Sequence, residues 1–271
     1  MKPILKYPGA KWRIADWIIG FMPPHVGYVE PFFGSGAVFF NKQPSKLEVI
    51  NDLNGDVVRY FRVLRDKPQE LAGAVELTPW ARGELEYCRT APPVTDDVEM
   101  ARRLQVKINM AIGSGVDEQT GWKHRGKAVG GSCARQWMGM PARITQASKR
   151  LLSAQIENRP AIEVIQAYNA PQILVYADPP YVLNTRTANR HQYAHEMTDT
   201  DHIELLAALN AHSGMVLLSG YDCELYRDML SGWTLATKDV MAERAARRTE
   251  CLWINPLAQE RRGMLGWEGM A

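Results

Sequence analysis

The distribution of apolar residues predicts strands and helices that alternate at both ends of the chain. Four short apolar runs are typical of buried strands: 28–33, 47–50, 172–177 and 214–219. Helices are predicted over 54–64, where the apolar residues share one helical face, and over 199–210. Two further segments, 233–240 and 250–254, are predicted to close the sheet as a pair of strands. This alternation indicates an α/β fold with a doubly wound sheet.

The middle of the chain interrupts this pattern. Residues 66–100 contain four prolines and residues 113–131 contain six glycines. Irregular structure is therefore expected there, and long irregular segments usually serve a function. We predict one sheet domain formed by residues 1–57 and 156–271, with a mainly helical module inserted at 58–155.

Composition narrows the class of protein without identifying it. Of the 271 residues, 46% are hydrophobic and 23% are charged, which is typical of folded domains rather than disordered chains. No apolar run reaches the roughly 18 residues of a conventional transmembrane helix, and the N-terminus lacks the apolar core of a signal peptide. The four cysteines are far apart and form no CxxC pair, which predicts reduced thiols without zinc. We expect a cytoplasmic protein that binds no membrane and no metal.

Charge is unevenly distributed along the chain. Residues 101–150 contain ten Lys and Arg but only two acidic residues, a net charge of +8, whereas the whole chain carries +2. The other residues therefore sum to about −6. A segment this basic attracts polyanions such as nucleic acid. The alternative is a solvated helical face without a partner.

A glycine-containing turn follows the first predicted strand. Phe32 precedes Gly34 and Gly36, and Asp52 ends the second predicted strand. Glycines let the backbone approach a ligand closely, and an acid at that place can accept hydrogen bonds from both ribose hydroxyls. Because the third glycine of the dinucleotide pattern is missing, a mononucleoside-sized cofactor is favoured. A tight turn without a ligand is the alternative.

A second motif, Asp178-Pro179-Pro180-Tyr181, ends the strand predicted over 172–177. The Asp178 carboxylate and a neighbouring backbone carbonyl form a pair of acceptors, and the prolines fix the turn. Such a pair suits a planar amino group, while Tyr181 offers a flat face to a heteroaromatic ring. The alternative is a simple strand-ending turn.

A third, weaker motif lies near the start of the chain, where Tyr7 and Lys11 flank a Pro-Gly turn. The aromatic ring can stack on a purine and the lysine can neutralise a carboxylate. A turn without a ligand is equally compatible with this short segment.

In their order along the chain, these three motifs resemble those of the Dam-type (D12 class) adenine-N6 DNA methyltransferases, in particular short phage and prophage members. The DPPY tetrapeptide with an upstream FxGxG is highly specific as a combination. The resemblance covers most of the chain and rests on these segments: 6–11, 29–36, 51–54, 178–181, 218–221 and 249–256.

The resemblance implies a site-specific enzyme that transfers a methyl group from S-adenosylmethionine to the N6 amino group of adenine in double-stranded DNA, without a metal, and releases S-adenosylhomocysteine. It implies a Rossmann-like catalytic domain at 1–57 and 156–271. The residues implied to contact the cofactor are Tyr7, Lys11, Phe32, Gly34, Gly36, Asp52 and Asp178. The residues implied in catalysis are Asp178, Pro179, Pro180 and Tyr181. Asp178 and the Pro179 carbonyl would accept from the amino group, and Tyr181 would stack on the adenine, which must first be flipped out of the duplex.

The inserted module at 58–155 is interpreted as the DNA-recognition module because of its positive charge. The residues expected to contact DNA are Lys123, Arg125 and Arg135 in the module, and Arg186 and Arg190 after the DPPY motif. We expect a monomer in a bacterial cytoplasm or a phage-infected cell.

The sequence departs from the family pattern at three places. Tyr7 stands where many members have Trp, and Ala10 stands where many have Gly. The acid that many members place before the DPPY strand, to hold the adenine of the cofactor, is missing. Glu157 or Asn158 is a candidate substitute.

Two other functions remain open at this stage. Methyltransferases acting on RNA or on protein glutamine use related motifs, although about 140 residues separate Gly36 from Asp178 here, which suits a DNA-recognition insertion. A catalytically inactive DNA-binding protein is the other alternative, and the intact Asp52 and Asp178 argue against it.

Overall fold

A computed structural model describes residues 1–113, 120–124, 133–182, 196–241 and 247–268. Within these residues, one sheet contains seven strands: β1 (Gly27–Glu30), β2 (Leu47–Asn51), β3 (Ala154–Glu157), β4 (Ile173–Ala177), β5 (Met215–Gly220), β6 (Thr234–Met241) and β7 (Arg247–Ile254). Their order across the sheet is β3-β2-β1-β4-β5-β7-β6. Every strand predicted from the apolar pattern is present, and β3 is an additional strand that the pattern did not indicate.

The pairing of the strands explains where a ligand can bind. The first five strands pair in parallel, whereas β7 is antiparallel to both β5 and β6. The chain passes from β1 to β2 and β3 on one side, and then returns to β4 on the other side of β1. Such a reversal opens a crevice at the carboxyl ends of the strands, where open α/β sheets bind ligands. The predicted α/β class with a doubly wound sheet is confirmed.

Helices pack on both faces of this sheet. The described residues form these helices: α1 (Ala15–Ile19), α2 (Gly55–Asp66), α3 (Pro68–Glu76), α4 (Arg82–Thr90), α5 (Asp97–Met110), α6 (Cys133–Met138), α7 (Met140–Leu151), α8 (Ala161–Ala167), α9 (Asp199–Asn210), α10 (Glu224–Met229) and α11 (Pro256–Glu268). Because successive strand residues point to opposite faces, Tyr28 joins one apolar cluster and Val29 the other. The first cluster includes α2, α3, α5 and α7, and the second includes α8, α9 and α10.

The connection between β2 and β3 contains α2 to α7, so the predicted insertion is helical where it is described. The expectation of irregular structure over 66–100 is wrong, because α3, α4 and the start of α5 occupy that range. Pro68 is the first residue of α3, where a proline sacrifices no intrahelical hydrogen bond. Pro79, Pro92 and Pro93 lie between helices. The prolines therefore mark helix boundaries, and most of 113–131 lies outside the described residues.

The limits predicted for the inserted module do not coincide with element boundaries. Residue 58 falls inside α2 and residue 155 falls inside β3. The end of β2 and the start of β3 are more natural limits, because α2 to α7 all lie between them. The division into two units stays a prediction.

Candidate active site

A cavity of about 350 Å³ opens at the carboxyl ends of β1 and β4, at the switch point of the sheet. This volume lies within the usual range for small-molecule sites. Its lining contains most of the residues predicted to contact a cofactor: Tyr7, Lys11, Phe32, Gly34, Asp52 and Asp178. Glu30, Asn54, Tyr176, Pro180, Met197 and Leu205 also line it and were not predicted as cofactor contacts. The fold thus brings residues from distant parts of the sequence to one crevice.

Asp52 is held in a fixed orientation by the backbone on both sides of it. Its Oδ2 accepts a hydrogen bond from the Gly34 N–H at 2.8 Å, and its Oδ1 accepts one from the Asn54 N–H at 2.9 Å. Each carboxylate oxygen thus accepts a hydrogen bond from a backbone N–H. The bond from Gly34 ties the loop after β1 to the loop after β2.

The two glycines of the FxGxG turn are required for different reasons. Gly34 has a φ of +49°, and a Cβ there would lie 3.0 Å from the Tyr7 ring. Gly36 has a φ of +65°, but a Cβ there would collide with Phe33 and Phe40, at 2.4 and 2.8 Å. Gly36 is buried and is not among the described residues that line the cavity. Aromatic packing therefore accounts for Gly36, whereas Gly34 borders the cavity directly, and a cofactor contact by Gly36 stays a prediction.

Asp178 follows β4 and forms an ion pair with Lys11, with Nζ and Oδ1 2.8 Å apart. Lys11 is only 5% exposed, and its Nζ also donates to the Gly9 carbonyl at 2.8 Å. Buried charges are found in proteins where they are paired and hydrogen-bonded, and this pair satisfies that condition. The N-terminal Pro-Gly turn and the DPPY turn are therefore joined through two side chains that the sequence assigned to separate motifs.

Tyr181 is buried behind the cavity rather than lining it. Its hydroxyl donates to Glu250 Oε2 at 2.9 Å, and its ring meets the Tyr221 ring at 4.6 Å with an interplanar angle of 67°. The Lys11 Nζ lies 4.7 Å from the ring centre. Burial, together with the charges of Asp178 and Glu250, raises the pKa of Tyr181 well above its usual value, so the hydroxyl remains a neutral donor.

Glu30 is a functional candidate that the sequence motifs did not single out. It ends β1, lines the cavity and is 3% exposed. Burial raises its pKa to about 8, the nearby Asp178 adds to this shift, and a hydrogen bond from the Tyr28 hydroxyl opposes it. That hydroxyl donates to Glu30 Oε2 at 2.7 Å. An acidic residue inside an apolar strand was the signal that sequence analysis could have used.

Asn51 connects the three loops that follow β1, β2 and β3. Its Nδ2 donates to the carbonyls of Pro31 and Arg159 at 2.9 and 3.0 Å, and its Oδ1 accepts from the Arg159 N–H at 2.9 Å. Asn158, considered above as a contact for the cofactor adenine, donates instead to the Asp52 carbonyl at 2.8 Å. Neither Asn158 nor Glu157 is among the described lining residues.

The residues predicted to contact DNA are only partly described. Arg125, Arg186 and Arg190 lie outside the described residues. Arg135 is exposed on α6. Lys123 is half-buried, and its backbone is held by hydrogen bonds to the Met110 carbonyl and from the Trp80 side chain.

Lys123 belongs to a basic cluster that also includes Lys6 and Arg143, around a small cavity that adjoins Asn109 and Gln136. Burial, together with repulsion from Lys123 and Arg143, lowers the pKa of Lys6 to about 8. Among the described residues, Lys6 and Lys123 form no ion pair with a carboxylate. The structure therefore gathers positive charge next to Tyr7, at the edge of the larger cavity.

The doubly wound sheet and the cavity at its switch point match the place where open α/β sheets of this class bind their ligands. A family model described as D12 class N6 adenine-specific DNA methyltransferase matches residues 7–245. The chain therefore belongs to this family of methyltransferases, and the prediction made from its motifs is confirmed.

Individual relatives differ in how much of the chain they match. The type II methyltransferase M.MjaIII of Methanocaldococcus jannaschii is 24% identical, over 90% of this chain and 92% of that protein. The type II methyltransferase M1.LlaDCHI of Lactococcus lactis subsp. cremoris is 36% identical over 26% of this chain, and the DNA adenine methylase of Escherichia coli K12 is 30% identical over 27%. These two matches cover only about a quarter of the relatives' own lengths.

None of the helices in the described ranges is long and apolar enough to cross a bilayer. The described residues also contain no group of three or more His, Cys, Asp or Glu side chains that could hold a metal ion.

Proposed function

We propose that this chain transfers the methyl group of S-adenosylmethionine to the N6 amino group of a flipped adenine in double-stranded DNA. The observation that carries the proposal is the position of Asp178. Its carboxylate lies at the switch point of the sheet, paired with Lys11, on the wall of a cavity that also contains Asp52. One acceptor for a target amino group and one acceptor for a ribose thus face the same space.

The cavity fits a cationic nucleoside cofactor. Five acidic residues line it besides Glu30, whose raised pKa keeps it mostly neutral at pH 7: Asp52, Asp178, Glu196, Asp201 and Glu204. Lys11 is the only lysine or arginine among the described lining residues. Such a lining favours a positively charged ligand, and S-adenosylmethionine, when bound, supplies a methyl group activated by a sulfonium. Asp52 would accept from the ribose, while Tyr7, Phe32 and Gly34 would enclose the remainder.

Orientation and electrostatics are the contributions we assign to the DPPY turn. The Lys11 ammonium stabilises the charge of Asp178, so this carboxylate and the Pro179 carbonyl can both accept from a planar NH₂ group. These two bonds would hold the amino nitrogen in line with the methyl group, which is how positioning accelerates such transfers. Pro180 rigidifies the turn, and Tyr181 would contact the adenine ring. Because Tyr181 is 7% exposed, a base can stack on it only if a neighbouring group moves.

DNA binding is assigned to the insertion and to the edge of the cavity. Lys123 and Arg135 are the described members of the predicted set, and Lys6 and Arg143 extend the positive surface around Lys123. A phosphate would offset the repulsion within this cluster. The proposed division therefore assigns DNA recognition to residues 58–155 and methyl transfer to 1–57 and 156–271.

The decisive experiment is the transfer of labelled methyl groups from S-adenosylmethionine to unmethylated DNA. Nucleoside mass analysis identifies the product, and sequencing locates the modified positions. N6-methyladenine is the expected product. If DNA receives no methyl group, the same assay with RNA or protein as the acceptor tests the alternative substrates. Tight cofactor binding without any product would indicate an inactive DNA-binding protein.

Replacing Asp178 provides the matched test of the mechanism. Asp178→Ala should abolish methyl transfer, because the amino group of the target loses its acceptor. Cofactor binding should largely persist. Asp222→Ala is the control, since Asp222 also follows a strand at this end of the sheet but pairs with Arg227 at 2.6 Å. Methylation by Asp178→Ala at the wild-type rate would overturn the assigned role.

A further inference from the structure

Glu250 is a buried carboxylate that the proposed function leaves unexplained. It lies on β7 opposite Lys238 of β6, and it is 5% exposed. A buried carboxylate is costly unless it is hydrogen-bonded. An apolar side chain would be the usual choice at such a buried strand position. A buried carboxylate on β7, which lies between β5 and β6 in the sheet, therefore requires a hydrogen-bond donor nearby.

That donor is the tyrosine of the DPPY turn. The Tyr181 hydroxyl donates to Glu250 Oε2 at 2.9 Å, and both residues are buried. The hydrogen bond anchors the hydroxyl end of the Tyr181 ring and so limits movement of the whole side chain. The edge-on contact with Tyr221 restrains the same ring from a second direction.

We infer that Glu250 is a positioning residue for methyl transfer, which holds the Tyr181 ring at the angle that an incoming base must meet. This inference rests on the proposed function, because the orientation of the Tyr181 ring affects the reaction only if a flipped adenine stacks on it. Groups that contact substrates need support from neighbours that lock their orientation. Glu250 supplies that support from β7, a strand far from the DPPY turn in the sequence.

The test is a double-mutant cycle between Glu250 and Tyr181, measured as single-turnover methylation with saturating DNA and cofactor. Glu250→Ala should lower the rate by about ten- to a hundredfold, since small misplacements have effects of that size. Glu250→Gln retains an oxygen acceptor and should remain close to wild type. Tyr181→Phe removes the donor, so adding Glu250→Ala to it should cause no further loss.

A second readout separates positioning from general destabilisation. DNA with 2-aminopurine at the modified position reports base unstacking by fluorescence. Glu250→Ala should change the fluorescence of the bound complex, while its affinity for S-adenosylmethionine stays at the wild-type value. Thr249→Val is the control, because Thr249 is on the same strand but donates to Asp239 on the exposed side. This variant should match the wild type in both assays.

The possible outcomes identify which conclusion fails. If the wild type methylates adenine and Glu250→Ala does so equally fast, the inference is overturned and the proposed function stands. Additive losses in the Glu250→Ala/Tyr181→Phe pair also overturn the inference, because they would show that the two groups act separately. A wild type that methylates no adenine overturns both.

Discussion

At the scale of single residues, Glu30 shows how burial changes the chemistry of a side chain. Its carboxyl group ends β1 at the cavity wall and is almost fully excluded from water. Burial raises its pKa from 4.5 to about 8. The folded protein therefore binds this proton more tightly than the unfolded chain does. The stability contributed by Glu30 is complete below about pH 4.5 and is lost as the pH rises to about 8.

Glu30→Gln should remove this dependence, because glutamine is neutral and similar in shape. The free energy of unfolding of the variant should fall less than that of the wild type between about pH 5 and pH 8. Urea denaturation at several pH values measures this difference. Glu163→Gln is the control, since Glu163 is exposed and pairs with Arg159. Parallel curves for Glu30→Gln and the wild type would contradict the raised pKa.

The residue scale also shows what the motifs could predict and what they could not. Asp52, Gly34 and Asp178 were predicted because their residue types are required by the chemistry of a turn or an acceptor. Glu30 and Glu250 lie within the segments that carried the resemblance, but their importance depends on burial. Burial of a charged group depends on the packing of distant elements, so the sequence alone assigned them no role.

At the scale of elements, the edge of the candidate active site is formed by loops that Asn51 ties together. Its side chain bonds to backbone groups of the loops after β1 and β3, and it is 1% exposed. Each such hydrogen bond contributes about 1 kcal/mol. The three bonds therefore fix the position of Asp52 relative to the loop that contains Gly34.

Asn51→Ala should weaken binding of S-adenosylmethionine by about tenfold, equivalent to about 1.4 kcal/mol, because the cavity loses its preorganised shape. Calorimetric titration measures the affinity. Asn158→Ala should have a smaller effect, since it removes support only from the loop after β2. Asn210→Ala is the control. The Asn210 side chain bonds to Met229 and Trp233, and none of these three residues is among the described residues that line the cavity. Equal affinities in all three variants would show that the loops hold their shape without Asn51.

Elements with a clear periodicity were predicted well, and the others were not. The strands β4 and β5 are continuous apolar runs between turn residues, and Thr198 caps the N-terminus of α9 with a capping box. By contrast, α3 and α4 are short, and nearby prolines suggested irregular structure. Their stability comes from packing against α5 and α7 in the shared apolar cluster. Tertiary contacts of this kind are not visible in a local pattern.

At the scale of the whole molecule, the insertion is part of the main core. Residues of α2, α3, α5 and α7 lie in the same apolar cluster as Tyr28 and Tyr176 of the sheet. Arg150, near the end of α7, also forms an ion pair with the buried Glu48 of β2. These contacts link the proposed DNA-recognition module directly to the sheet that contains the candidate active site.

The basic cluster of Lys6, Lys123 and Arg143 beside Tyr7 leads to a testable prediction about DNA binding. Lys6→Ala and Lys123→Ala should each weaken DNA binding, because each removes a charge that a phosphate would neutralise. Each should also reduce the slope of log K against log salt by about 1, as expected when one phosphate contact is lost. Fluorescence anisotropy over a series of salt concentrations measures both quantities.

Lys46→Ala is the matched control for this experiment. Lys46 is an exposed lysine directly before β2, at the end of the sheet opposite to the cavity. It should leave both the affinity and the salt slope unchanged, since a duplex held at the carboxyl ends of β1 and β4 does not reach it. If Lys46→Ala changed the slope as much as Lys6→Ala and Lys123→Ala did, binding would depend on overall charge. The basic cluster would then have no specific role, because only a localised phosphate contact distinguishes one lysine from another.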